Sequence, residues 1–142
     1  MKIKAKFTIP GEPKGKGRPR VMKSGHAFTP RDTAMYENLV RLEFQRQCSG
    51  VRFPDDMDID MRITAYYEVP KSVSKKKRTA MLEHRIRPKK KPDIDNVFKI
   101  VADSLNGIAY HDDSQIVDGM VRKFYSEEPR VVVTIQNAAD VY

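Results

Sequence analysis

Apolar residues at every second position open the chain. Ile3, Ala5, Phe7 and Ile9 alternate with Lys2, Lys4, Lys6 and Thr8. This period predicts a strand buried on one face and basic on the other, ended by Pro10-Gly11. Helical spacing starts at Thr29-Pro30, a good cap followed by a good first residue. Tyr36, Leu39, Val40, Glu43 and Phe44 mark the inner side of a helix reaching about Cys48, and Ser49-Gly50 stops it. Period two returns at Met57, Ile59, Met61 and Ile63 and continues through Ala65 and Tyr67. The acids between them, Asp56, Asp58 and Asp60, are thereby expected on the solvent face, and with Asp55 they are set aside as catalytic candidates. After a break at Pro70–Ser74, Ser74 is placed to cap a short helix through Arg85. Ile94, Val97, Val101 and Leu105 recur at three- and four-residue steps and predict a helix closed by Asn106-Gly107. Gln115 to Tyr125 and Arg130 to Gln136 read as strands joined by a Ser126–Pro129 turn as a hairpin. The order β-α-β-α-α-β-β predicts one domain over 1–142. Its class is α+β: a mixed, largely antiparallel sheet with helices on one face.

Charge changes the picture next. Lys and Arg number 27 against 19 Asp and Glu, for a net charge of +8 and a pI near 9.6. That balance favours a polyanionic partner, and nucleic acid before membrane, because no apolar span or basic amphipathic helix is evident. The cations are clustered. Lys16, Arg18 and Arg20 lie in a Gly- and Pro-rich loop, from which they can reach phosphates. A second block, Lys71, Lys75-Lys-Lys-Arg78, Arg85, Arg87 and Lys89-Lys-Lys91, faces one acid, Glu83. It is read as a DNA-tracking arm, with Lys89, Lys90 and Lys91 nearest the chemistry. The single cysteine, Cys48, excludes a disulfide framework and a cysteine zinc site. No signal peptide is recognisable at Met1-Lys-Ile-Lys, so a cytoplasmic location is expected.

The basic block runs directly into Lys91-Pro-Asp-Ile-Asp-Asn96. Asp93 and Asp95 sit at the start of the predicted helix, where the dipole tolerates negative charge, and Lys99 stands one turn beyond Asp95. Asp112 and Asp113 precede the next strand. Three or four carboxylates near a lysine make a cage for a hard cation, Mg²⁺ or Mn²⁺, which binds through a few carboxylates and substrate phosphates. Each acid also has a structural reading: Asp93 or Asp95 as helix cap, Asp112-Asp113 as a turn, and Asp95, Lys99 and Asp103 as a ladder of helix pairs. His111 is a lone loop histidine in reach of the same region.

Lys91-Pro-Asp-Ile-Asp-Asn96, Lys99, Asp103-Ser-Leu-Asn-Gly107 and Asp112-Asp-Ser-Gln-Ile116 resemble, in order and spacing, the signature of the RusA family of Holliday junction resolvases. The resemblance extends more weakly to Lys16-Gly-Arg-Pro-Arg20 and the terminal strands. It implies that Asp93, Asp95 and Asp113 are metal-binding catalytic acids supported by Lys99, and that a homodimer acts on four-way DNA junctions. A PD…(D/E)xK nuclease is the poorer match, because a helix rather than a strand follows Asp93 and no acid-x-Lys occurs between Asp113 and Tyr125. From another class, a non-enzymatic basic nucleic-acid-binding module would use the same acids only as caps and turns.

Overall fold

A computed structural model describes residues 2–16 and 30–141 of the chain. The elements are β1 (Lys4–Pro10), α1 (Pro30–Gln47), β2 (Ile59–Glu68), α2 (Lys75–Leu82), α3 (Ile94–Ser104), β3 (Ile116–Ser126) and β4 (Arg130–Asn137), with 3₁₀ turns at Asp113–Gln115 and Ala138–Asp140. This is the order that the hydrophobic periods predict. Thr29, the expected cap of α1, lies outside the described residues, as do Arg18 and Arg20.

The strands form one mixed sheet in the order β1-β4-β2-β3. β4 is antiparallel to both β1 and β2, while β2 and β3 run parallel. The expected β3–β4 hairpin is therefore corrected: the two strands are consecutive in sequence but lie on opposite sides of β2. Glu127-Glu-Pro129 is long enough to carry the chain across one strand, a distance of about 10 Å. Gly11 N–H donates to Pro129 O at 3.1 Å and ties this crossing to the end of β1.

One face of the sheet carries the core. Phe7 and Ile9 of β1, Ile59, Met61, Ile63 and Tyr67 of β2, and Val131, Val133 and Ile135 of β4 are buried there, together with Val40 and Phe44 of α1 and Val97, Ile100 and Val101 of α3. Phe7 and Phe44 meet edge to face with centroids 5.4 Å apart. α3 comes close to β3 at Gly119, where an added Cβ would stand 2.8 Å from the Phe98 ring. A side chain at 119 would displace the Phe98 ring.

Two local expectations change. Asp60 leaves the apolar face of β2 but not for solvent: it is 3% exposed and accepts hydrogen bonds from Arg62 Nε at 3.1 Å and Gln136 Nε2 at 3.0 Å. A register shift between Ile59 and Asp60 accompanies this. α2 ends at Leu82 rather than Arg85. His84 takes the left-handed conformation (φ 65°), and the Arg85 and Ile86 amides both turn back to Ala80 O, at 2.9 and 3.1 Å. That geometry satisfies the last carbonyls and stops the helix. Ser74 caps its start as expected, accepting from Lys77 N–H at 3.2 Å. Among the described residues, no helix is long and apolar enough to cross a membrane.

Candidate active site

The approach to α3 is exposed at Lys89, Lys90 and Lys91 and passes through a cis Lys91–Pro92 bond. Asp93 then occupies the N-cap position with extended backbone (φ −72°, ψ 161°), but its side chain makes no capping hydrogen bond. Asp95 follows in the first turn, and both acids are exposed. The helix dipole favours negative charge here, and among the described residues no amide of the first turn caps the Asp93 carboxylate.

This approach is clamped from two sides. On the sheet side, Tyr67 Oη donates to Pro92 O at 2.6 Å, and Lys123 Nζ donates to Lys90 O at 2.7 Å. Lys123 also lies 5.0 Å from the Tyr67 ring centroid. Burial pushes the Lys123 ammonium below its ordinary pKa, and the neighbouring Asp93 charge partly restores it. On the other side, Gly15 packs so closely that a Cβ would meet Pro92 Cβ at 2.7 Å and Asn96 Cβ at 2.9 Å. Lys16 N–H donates to Asn96 O at 3.1 Å. Glu12 accepts from the Glu68 amide and pairs with Lys90 Nζ at 3.8 Å.

Further along α3 a second group of charges gathers. Lys16 Nζ stands 2.8 Å from Asp103 Oδ2 and 3.7 Å from Glu37 Oε2, and Lys99 Nζ is 3.7 Å from Asp103 Oδ2. Asp113 comes against Asp103 from the turn before β3. Burial would raise Asp103, but the Lys16 hydrogen bond, the contact with Asp113 and the charges of Lys16 and Lys99 hold it below the usual carboxylate range. Asp113 is pushed up, first by burial and then by the hydrogen bond and charge of Asp103. Two carboxyls in contact cannot both ionise cheaply, and here the lysines decide which keeps its charge.

The turn itself divides the labour between adjacent acids. Asp112 accepts from Ser114 N–H at 3.1 Å, and Gln115 Oε1 accepts from His111 and Asp112 N–H at 2.9 and 3.1 Å. The capping work expected of an Asp-Asp turn is thus done by Asp112. Asp113 is held through its backbone, its amide donating to Asn106 Oδ1 at 2.7 Å, so its carboxyl faces Asp103.

The sequence-predicted acids therefore fall into two groups along α3. Asp93 and Asp95 stand at its N-terminus, and Asp113 meets Asp103 beyond Lys99; between Asp95 and Asp103 the helix axis rises about 12 Å. Among the described residues, no group of three or more His, Cys, Asp or Glu side chains is gathered so as to hold a metal ion. Lys16, read from sequence as a phosphate-reaching loop residue, is docked on Asp103. His111 is exposed. Sequence reasoning missed the part Asp103 plays here and missed Tyr67 and Lys123. The signal available for Lys123 was a lysine in a strand position where Val121 and Tyr125 occupy the same alternate sites.

Among known proteins, a relative of Bacillus subtilis (strain 168), "Uncharacterized protein YqaN", is 40% identical over 139 residues, covering 94% of this chain and 96% of its own length. The family model described as "Endodeoxyribonuclease RusA" matches residues 10–136, a span that includes Asp93, Asp95, Lys99, Asp103 and Asp113. On that match over most of its length, the chain belongs to the RusA endodeoxyribonuclease family.

Proposed function

We propose that this chain is a Mg²⁺- or Mn²⁺-dependent endonuclease that resolves four-way DNA junctions by paired phosphodiester hydrolysis. The observation that carries the reading is that Asp93 and Asp113 occupy structural positions without doing structural work. Asp93 is an N-cap whose carboxylate caps nothing, and Asp112 does the turn-capping that would otherwise explain Asp113.

The donor set fits a hard cation in kind, since all its ligating atoms are carboxylate oxygens. It also fits in charge: Asp103 and Asp113 are pressed together in a way that an added cation would relieve. Asp93 and Asp95 at the N-terminus of α3 and Asp113 beyond Lys99, with Asp103 as its neighbour, would be the ligands. The ion would have to draw the two groups together, since no three acids are gathered among the described residues without it. When bound, the ion supplies a water made nucleophilic and stabilises the leaving oxygen. The chain's own part is orientation and charge. Lys99, exposed between the two acid groups, is available to the developing negative charge on a phosphate. Lys89, Lys90 and Lys91 lie beside the site where the scissile strand would pass, and they neutralise phosphates without reading bases. A two-fold homodimer supplies the two symmetric cuts that junction resolution needs. Sedimentation of the free protein and its junction complex tests that part.

The deciding experiment compares cleavage of a four-way junction, linear duplex and single strand, with and without Mg²⁺. Paired nicks in the junction alone, only with the cation, are expected. A protein that binds the junction tightly and never cuts it, with Mg²⁺ or Mn²⁺, is instead a nucleic-acid-binding module.

A further inference from the structure

Lys123 is an expensive residue where it stands. It shares the helix-facing side of β3 with Val121 and Tyr125, opposite Ala65 in the parallel register, and there an apolar side chain would cover Tyr67 with no charge to desolvate. Its ammonium donates to Lys90 O at 2.7 Å. From the neighbouring strand the Tyr67 phenol, itself 1% exposed, donates to Pro92 O at 2.6 Å. Two donors on adjacent strands thus grip alternate carbonyls of the segment that delivers Asp93. The segment makes no strand or helix of its own. Asp93, lacking a capping bond, does not fix itself through its side chain.

We propose that Lys123 and Tyr67 are positioning residues for Asp93. By holding the Lys90 and Pro92 carbonyls against the sheet, they set where the first carboxylate of α3 stands. The inference rests on the reading of Asp93 as part of the catalytic set. It assigns the task to strands rather than to the loop, because rigid elements keep a site within the tolerance that chemistry demands. Glu12, which also accepts from the Glu68 amide at the end of β2, pairs with Lys90, and Gly15 packs against Pro92, so the loop after β1 completes the grip.

The test uses Lys123→Met, which keeps the aliphatic stem over Tyr67, and Tyr67→Phe, which keeps the ring and removes one hydroxyl. The metal-free, DNA-free readout is amide exchange at Val97, whose N–H donates to Asp93 O at 3.0 Å and closes the first turn of α3. Faster Val97 exchange is expected in both variants, above any change in the core amides of β2. In single-turnover cleavage of a junction the rate should fall by about 10- to 100-fold, the scale of a displacement of about 1 Å at a reacting centre. Junction affinity in the absence of divalent cation should be unchanged. Wild-type exchange at Val97 in both variants overturns the proposal. So does a lowered melting temperature with exchange raised uniformly and cleavage intact, which is ordinary core packing. If Lys123→Met does not fold, Tyr67→Phe decides alone. A wild type that cuts no junction ends the nuclease reading; the Val97 result then still stands for or against the grip on Asp93.

Discussion

Replacing Gly15 by Ala tests whether the loop after β1 is part of the site or merely passes over it. The new Cβ would stand 2.7 Å from Pro92 Cβ and 2.9 Å from Asn96 Cβ. Carbon pairs rest at about 3.5–4.0 Å, so one partner must move by on the order of 1 Å. Neither partner is the flexible end of a side chain. Asn96 belongs to α3 and Pro92 is held by Tyr67, so the loop is the part that gives way. A shift of that size takes Lys16 Nζ from 2.8 Å out of hydrogen-bonding reach of Asp103 Oδ2 and breaks the 3.1 Å bond from Lys16 N–H to Asn96 O. Overpacking of this kind costs about 1–3 kcal/mol, and the stiffer unfolded chain returns about 0.4–1 kcal/mol. The net loss of about 1–2 kcal/mol corresponds to a melting temperature lower by roughly 3–6 °C in a chain of this size. Calorimetry reads that number. Single-turnover junction cleavage should fall by about 10²-fold if the displaced lysine matters to the acids it faces. A variant as stable as the wild type or more so, cutting at the wild-type rate, would refute the docking of this loop on α3.

Asp93→Asn, Asp95→Asn and Asp113→Asn should each fold, bind junctions at least as tightly as the wild type and lose cleavage by orders of magnitude, whereas Asp58→Asn should cut normally. Asp112→Ala should behave differently from its neighbour, lowering the melting temperature through the lost Ser114 cap while leaving the Asp113 carboxyl in place. Replacing Lys89, Lys90 and Lys91 with Ala should flatten the log–log dependence of DNA affinity on salt by up to ~0.9 for each phosphate no longer neutralised; an unchanged slope would place the DNA elsewhere. Glu43, hydrogen-bonded by Gln47 at 2.9 Å and Arg46 at 2.6 Å, has its pKa lowered from 4.5. A depressed carboxyl stabilises the fold above its unfolded pKa and loses that contribution as pH falls through its folded value, so Glu43→Gln should flatten the melting-temperature curve below about pH 4.5.

The elements were legible because each apolar stripe is long. β1 alternates over Ile3 to Ile9, and α3 repeats through Val97, Val101 and Leu105, although Ile94, read as the first member of that stripe, is 53% exposed at the helix start. The acids of the site were legible as residue types at a helix start and a turn. Their division of labour was not, since Asp112 and Asp113 are chemically identical neighbours and only backbone geometry selects the one that caps. Asp60 was misplaced because its partners are Arg62, two residues on, and Gln136, brought alongside by β4. The false hairpin has the same origin: a short turn between two strands predicts pairing, and nothing local reveals that β2 will come between them. Lys16 was read only as a phosphate contact, and its docking with Gly15 on α3 escaped for want of any periodicity in their loop. Their places are set by α3, some eighty residues away.

The register that pairs Lys4 with Gln136 and Pro10 with Arg130 joins the two ends of the chain. On a ribosome, β1 emerges first and its sheet neighbour emerges last, roughly 10 s later at ordinary rates of synthesis. Throughout that interval Ala5, Phe7 and Ile9 have no pairing strand and no core to enter, the profile of an aggregation-prone segment. The lysines at 2, 4 and 6 then serve a purpose unconnected with DNA. Set between the apolar residues, they act as gatekeepers that keep the orphan strand in solution until β4 arrives.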